Sequence, residues 1–145
     1  MQSVLGGRNS YRNLVIQAYA TNIDQAVSNL VVSKDSIANR MMVEVHYYDP
    51  SEFCGLVADA SYATVKYLWG APFAQFGIIP SWREEDYVQT EFQKMKTNFV
   101  DKSYPDILGE FGAMRRSSLT GDMLQHHLDS RAYYLQYVAQ HAKQY

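Results

Sequence analysis

Apolar and polar positions change period several times along the chain, and each change predicts an element. Residues 13–19 (NLVIQAY) form a continuous apolar run after Gly6, Gly7 and Arg8, the pattern of a strand buried on both faces. Residues 24–31 follow as a short helix. Residues 40–48 (RMMVEVHYY) read as a second buried strand, closed by Asp49-Pro50. Its period of two puts Glu44, His46 and Tyr48 on one side, with Val43, Val45 and Tyr47 on the other. Residues 49–81 lack a clean period and hold Gly55, Gly70, Pro72, Gly77 and Pro80; a stretch that long inside a compact domain is usually functional.

Ser81-Trp82-Arg83-Glu84 then matches a capping box, in which the serine oxygen and the glutamate satisfy orphan amide donors at a helix start. Tyr87, Val88, Phe92, Met95 and Phe99 make the apolar stripe of that helix. After Pro105, residues 107–113 (ILGEFGA) predict a short apolar strand that stops at Glu110 between two glycines. A polar loop, residues 115–121, leads to a last helix marked by Leu124, Leu128, Leu135, Val138 and Ala142.

Helices alternating with apolar strands predict an α/β fold with a parallel sheet. The last helix runs to Tyr145 without a capping glycine, and the first strand starts near the N-terminus, so the chain is expected to be cut from a longer βα array. At 145 residues, 47% hydrophobic and 19% charged, it has the composition of one globular domain. A formal net charge of −2 gives no electrostatic reason to expect nucleic acid or an anionic membrane as partner. There is no apolar run long enough to span a bilayer and no signal segment opens the chain. The single cysteine, Cys54, excludes an intrachain disulfide and a cysteine zinc cluster, and reads as a buried apolar thiol.

Candidate chemistry concentrates at the carboxyl ends of the predicted strands, where parallel α/β folds place ligands. His46 and Tyr48 end one strand and Glu110 ends the next. A carboxylate at the end of a buried strand is costly to desolvate unless it has partners or a task, and its glycine flanks would let a substrate or another backbone come close. A Tyr48 hydroxyl donating to Glu110 would stabilise the charged form, and His46 would reach a substrate hydroxyl. The plainer reading is a hydrogen-bonded core histidine and a glutamate in a structural ion pair.

Aromatic residues make up 14% of the chain, with twelve tyrosines and two tryptophans, which suits either a sugar-stacking surface or a tyrosine-rich core. Trp69 and Trp82 lie in or beside the long loop and are candidates for stacking on sugar faces. Glu44 reads as a buried polar group needing a partner such as Arg40. Asp106 would have to be paired or protonated if it points inward. Arg115 and Arg116 read as loop or surface charges, and His126, His127 and His141 lack His-x-x-x-His metal spacing, so they read as structural or solvated.

Three motifs then become familiar together: Val43-Glu44-Val45-His46-Tyr47-Tyr48, Phe53-Cys54-Gly55-Leu56, and Leu108 through Arg116 (LGEFGAMRR). They resemble glycoside hydrolase family 5, most nearly its bacterial endoglucanase and xyloglucanase branch. Thr21-Asn22-Ile23-Asp24, Glu85-Asp86-Tyr87, Lys94-Met95-Lys96 and Ser130-Arg131-Ala132-Tyr133-Tyr134 fit the same template in the same order, so the resemblance covers nearly the whole chain.

The resemblance implies a (β/α)8 TIM barrel, of which this chain, residues 1–145, is the C-terminal portion of one catalytic domain with roughly strands 5 to 7. It implies a secreted enzyme that hydrolyses β-1,4-glucans such as cellulose or xyloglucan with retention, without a cofactor or metal. Glu110 becomes the nucleophile, Tyr48 its hydrogen-bond donor and His46 a substrate contact beside the cleavage point, with Trp69 and Trp82 as further substrate-binding residues.

Retaining catalysis needs a second carboxylate roughly 5 Å from the first. The family supplies it from an Asn-Glu-Pro motif after the fourth strand, and this sequence contains none. The acid is therefore expected upstream of Met1, since the fold takes about 250 residues, and the isolated chain is expected to be nearly inactive. Open barrel edges would favour self-association. Glu44 lies too deep to serve as the acid. The alternatives are a non-catalytic carbohydrate-binding or assembly half-barrel, and a metal-dependent hydrolase built on Glu44, His46 and Glu110.

Overall fold

A computed structural model describes residues 12–33 and 37–145; Gly6, Gly7 and Arg8 lie outside the described residues. The elements in chain order are β1 (Leu14–Gln17), α1 (Ile23–Asn29), β2 (Met41–Tyr47), a one-turn α2 (Ser51–Cys54), α3 (Glu85–Asn98), β3 (Asp106–Phe111) and α4 (Gly121–Gln144). The three strands form one sheet in chain order, β1-β2-β3, the arrangement expected of successive βα units. β1 runs parallel to β2, with Leu14 opposite Met41 and Gln17 opposite Glu44.

The described residues divide into two compact units, one built on residues up to His46 with Gln93–Glu110, the other on Tyr47–Phe92 with Phe111–Tyr145. In the first unit, β2 shows the alternation its sequence predicts: Met41, Val43 and Val45 are buried, while Met42, Glu44 and His46 are half-buried. β1 departs from expectation. It alternates half-buried and exposed positions, with Val15 45% exposed, so it is not buried on both faces. α1 starts where Asn22 Oδ1 accepts the Gln25 N–H at 3.0 Å, a side-chain N-cap. Its exposed Asp24 accepts from Lys94 Nζ at 2.7 Å.

Asp106, at the start of β3, is the unusual residue of this unit. Its Oδ1 is buried and has no hydrogen-bond partner, and burial pushes its carboxyl up to about 7. An unfolded aspartate titrates near 3.9, so the folded form holds its proton over a range where the unfolded form releases it. Stability linked to this group is fully present below about pH 4 and is lost as the pH rises through about 7. Asp106→Val should therefore stabilise the chain at pH 8 by about 1–3 kcal/mol, for removing an unsatisfied buried polar group, seen as a higher urea midpoint. At pH 4 the gain should be clearly smaller, and equal gains at the two pH values would contradict this reading.

The second unit centres on Tyr47, Phe53, Leu68, Trp69, Val88, Tyr134 and Val138, all nearly inaccessible. The face that α4 buries is His127, Ser130, Tyr134 and Val138, not the leucine stripe the apolar period predicts. Leu124, Leu128 and Leu135 are only half-buried. The reason is chemical: the buried face serves loop backbone. Ser130 Oγ accepts from the Trp69 N–H at 2.7 Å and donates to the Trp69 carbonyl at 2.8 Å.

His127 Nδ1 donates to the Tyr67 carbonyl at 2.6 Å and Nε2 accepts from the Arg116 N–H at 3.0 Å. Burial holds that imidazole below its ordinary range, so it packs as a neutral ring. His126 stacks on Phe76 with centroids 3.9 Å apart, and His141 Nδ1 donates to the Tyr137 carbonyl at 2.8 Å.

Two further expectations fail here. Arg116 is buried rather than a surface charge, and its guanidinium donates to the carbonyls of Leu56, Glu52 and Phe53 at 2.7, 3.3 and 3.3 Å. It thereby satisfies carbonyls left open by the short α2. Nor do Ser81 and Glu84 form a capping box. The Glu84 carboxylate turns to the Gly70 N–H at 3.1 Å, and α3 begins at Glu85, with the Glu84 carbonyl accepting from Tyr87 and Val88. Cys54 is buried as expected, and burial pushes its thiol up to about 12.

Candidate active site

Register and pleat bring four polar side chains of the first unit into line across the sheet. Gln17 and Glu44 are opposite one another on β1 and β2. Glu44 and His46 share a face of β2 because they are two residues apart. Gln17 Nε2 donates to Glu44 Oε2 at 2.8 Å, and Glu44 Oε1 lies 3.3 Å from His46 Nε2. The other ring nitrogen, Nδ1, is 3.3 Å from Glu110 Oε2 on β3.

The Gln17 amide, then His46, hold the Glu44 carboxyl below the usual carboxylate range, with partial desolvation opposing them. Its partners are these two, not Arg40, whose Nη1 donates instead to Asn13 Oδ1 at 3.3 Å. Gly109 is what makes room for Glu44: a Cβ there would lie 1.9 Å from Glu44 Oε1. That glycine flank admits a side chain of the neighbouring strand, rather than the substrate or backbone the sequence suggests.

Glu110 also differs from a buried strand-end carboxylate. Its side chain is 58% exposed, beside His46 at 20%. It therefore carries little desolvation cost and is open to reagents in solvent, while the imidazole fixes one side of it. A carboxylate in that setting can act as a nucleophile or as a base. Glu44, engaged by both Gln17 and His46, is not disposed as a proton donor to solvent. Among the described residues no cluster of His, Cys, Asp and Glu side chains is arranged to hold a metal ion. No helix among them is long and apolar enough to cross a membrane.

Tyr48 follows the last residue of β2 and is 45% exposed. The two tryptophans of the second unit separate sharply. Trp69 is 0% exposed, with rings of Tyr133, Tyr134 and Tyr137 at 5.7, 5.0 and 5.8 Å, and its Nε1 donates to the Arg83 carbonyl at 3.1 Å. It anchors the long loop in the core and offers no face to a sugar, which corrects its expected place in a cleft.

Trp82 is 46% exposed, and its Nε1 donates to Glu52 Oε1 at 2.7 Å. The Arg83 guanidinium sits over the ring at 4.1 Å and is itself paired with Asp49. Sequence reasoning missed this support by Glu52, Asp49 and Arg83. Arg83 adjoins Trp82 in the chain, but Glu52 and Asp49 lie 30 and 34 residues from their partners, so no local pattern announces them.

The family model for cellulase, glycosyl hydrolase family 5, matches residues 5–145. A xyloglucan-specific endo-β-1,4-glucanase of Bacteroides ovatus is 38% identical over 133 residues, 92% of this chain and 26% of that protein. Endoglucanase A of Paenibacillus barcinonensis is 33% identical over 150 residues, 97% of this chain and 35% of that protein. A Bacteroides ovatus family 5 xyloglucanase, solved with a XXXG heptasaccharide, superposes with a TM-score of 0.86 at 35% identity, covering 96% of this chain and 29% of that one. The chain thus spans roughly a quarter to a third of the length of the relatives it matches.

Proposed function

The chain belongs to glycosyl hydrolase family 5 and carries part of a (β/α)8 barrel, and from that premise we propose that it supplies the nucleophile of a retaining endo-β-1,4-glucanase. The observation that carries the proposal is Glu110: a solvent-reachable carboxylate at the end of β3, with His46 Nδ1 at 3.3 Å. In this reading a Glu110 oxygen bonds to the anomeric carbon as the glycosidic C–O bond breaks, and the departing oxygen takes a proton from a second carboxylic acid. Water then hydrolyses the resulting ester with that second group as base. Through the family resemblance, Tyr48 is assigned as hydrogen-bond donor to the nucleophile and His46 as a substrate contact beside the cleavage point.

Substrates of this enzyme are β-glucans of the cellulose or xyloglucan type, and an enzyme for such polymers works outside the cell. Trp82, with its N–H fixed and one face covered by Arg83, offers its remaining face to a pyranose ring. Trp69 has no part in binding.

No Asn-Glu-Pro occurs in the 145 residues, so the acid/base is not supplied by that motif here. Acid–base assistance contributes about 10²- to 10⁴-fold to such reactions. The purified chain should accordingly turn over β-glucan more slowly than a complete family 5 glucanase by at least that factor, measured as reducing-end release. A rate equal to the complete enzyme's, abolished by Glu110→Gln, would mean that another carboxylate of this chain serves as the acid.

A further inference from the structure

The row Gln17, Glu44, His46, Glu110 contains more than the proposed nucleophile and its neighbour, and the remaining members have a coherent task. A neutral imidazole carries one N–H and one lone pair. Glu44, held below the usual carboxylate range, is an acceptor, and the hydrogen bond at 3.3 Å runs from His46 Nε2. The Nε2 proton is therefore committed to Glu44. That leaves Nδ1 directed at Glu110 Oε2, 3.3 Å away. The two carboxylates thus compete for the single proton of the neutral ring.

Two features show that the Glu44 position is built and not incidental. Gln17 donates to its other oxygen at 2.8 Å from the adjacent strand, and Gly109 vacates the space its carboxylate occupies, since any Cβ would overlap Glu44 Oε1 at 1.9 Å. β1, β2 and β3 each contribute one part of this holder.

We propose that Glu44 is a positioning residue that holds the Nε2 proton of His46 and so fixes the ring with Nδ1 aimed at Glu110. Gln17 and Gly109 hold Glu44 in place for this task. His46 then stands between two carboxylates, one fixed and one reactive. This inference rests on the reading of Glu110 as nucleophile for its catalytic meaning, but not for its test.

The charged groups facing His46 are Glu44 on its own strand and Glu110 on β3. The test is long-range ¹H–¹⁵N spectroscopy of the four histidine rings in the 145-residue chain, with His46 assigned by loss of its signals in His46→Gln. In the wild type the neutral His46 ring should be the Nε2–H tautomer. In Glu44→Gln, which removes the charge facing Nε2, the neutral ring should move toward the Nδ1–H tautomer, whose N–H faces Glu110.

Gly109→Ala, which leaves the carboxylate in the chain but displaces it, should reproduce that change. Circular dichroism identifies a variant that fails to fold, and either variant alone decides the matter. An unchanged tautomer in a folded Glu44→Gln or Gly109→Ala chain would overturn the proposal. None of these readings depends on turnover, so a wrong assignment of Glu110 as nucleophile would show in activity while leaving this result intact.

Discussion

Glu110→Gln should lower β-glucan hydrolysis by on the order of 10⁴-fold or more in a barrel where this chain replaces the matching segment of a complete family 5 relative. The replacement is reasonable because the chain aligns over 92% of its length with such a protein and superposes on a family member with a TM-score of 0.86. Glutamine keeps the shape of the side chain, but it cannot form the glycosyl ester. With 58% of the side chain exposed, the substitution strands no buried charge, so the fold should be little disturbed. A structural ion-pair role for Glu110 predicts something different: a rate within a few-fold of the parent and a small loss of stability. Denaturation curves and initial rates on the same preparations separate the two.

The second large effect is on stability. Trp69→Ala should destabilise the chain by about 3–5 kcal/mol, the usual range for truncating a large buried aromatic. It removes an inaccessible indole packed against Tyr133, Tyr134 and Tyr137 and leaves the Arg83 carbonyl without its donor. Against a total of about 5–15 kcal/mol for a typical domain, such a loss is a large shift in the urea midpoint and in the fraction folded at 37 °C. Trp82→Ala should cost less, since half the ring is already in water, and its main penalty is the lost partner of Glu52. Far-ultraviolet circular dichroism against urea gives the comparison. A Trp69→Ala chain as stable as the parent would return Trp69 to the list of cleft residues.

Much of the site was legible because of one strand. β2 buries one face completely, and under that constraint a period of two leaves no freedom about which side Glu44 and His46 occupy. The glycine-flanked Glu110 was equally conspicuous, although its exposure was not, because sequence does not say how far the end of a strand opens to solvent. The failures share a cause. The buried face of α4 carries His127 and Ser130, whose polarity argues for the surface until one sees that they bond to the backbone at Tyr67, Arg116 and Trp69. Arg116 was misplaced for the same reason: the carbonyls around Leu56 are its partners, and no local pattern announces them.

Trp69 was ambiguous because an indole in a long loop is equally suited to sugar and to core. Non-local aromatic packing decided between them. Gly109 is the most instructive case. Its proximity to Glu110 invited a reading in terms of substrate, whereas the side chain it admits comes from the neighbouring strand. A glycine signals that something comes close, and only the register identifies what.

The central claim is that Glu110 forms the covalent bond to the sugar. Incubating the completed barrel with an activated 2-deoxy-2-fluoro β-cellobioside slows deglycosylation and traps the intermediate, which mass spectrometry of proteolytic peptides then locates. The account predicts one adduct, on the peptide containing Glu110, absent in Glu110→Gln. An adduct on a different carboxylate in a barrel that is active, or hydrolysis with inverted configuration at the anomeric carbon, would contradict it.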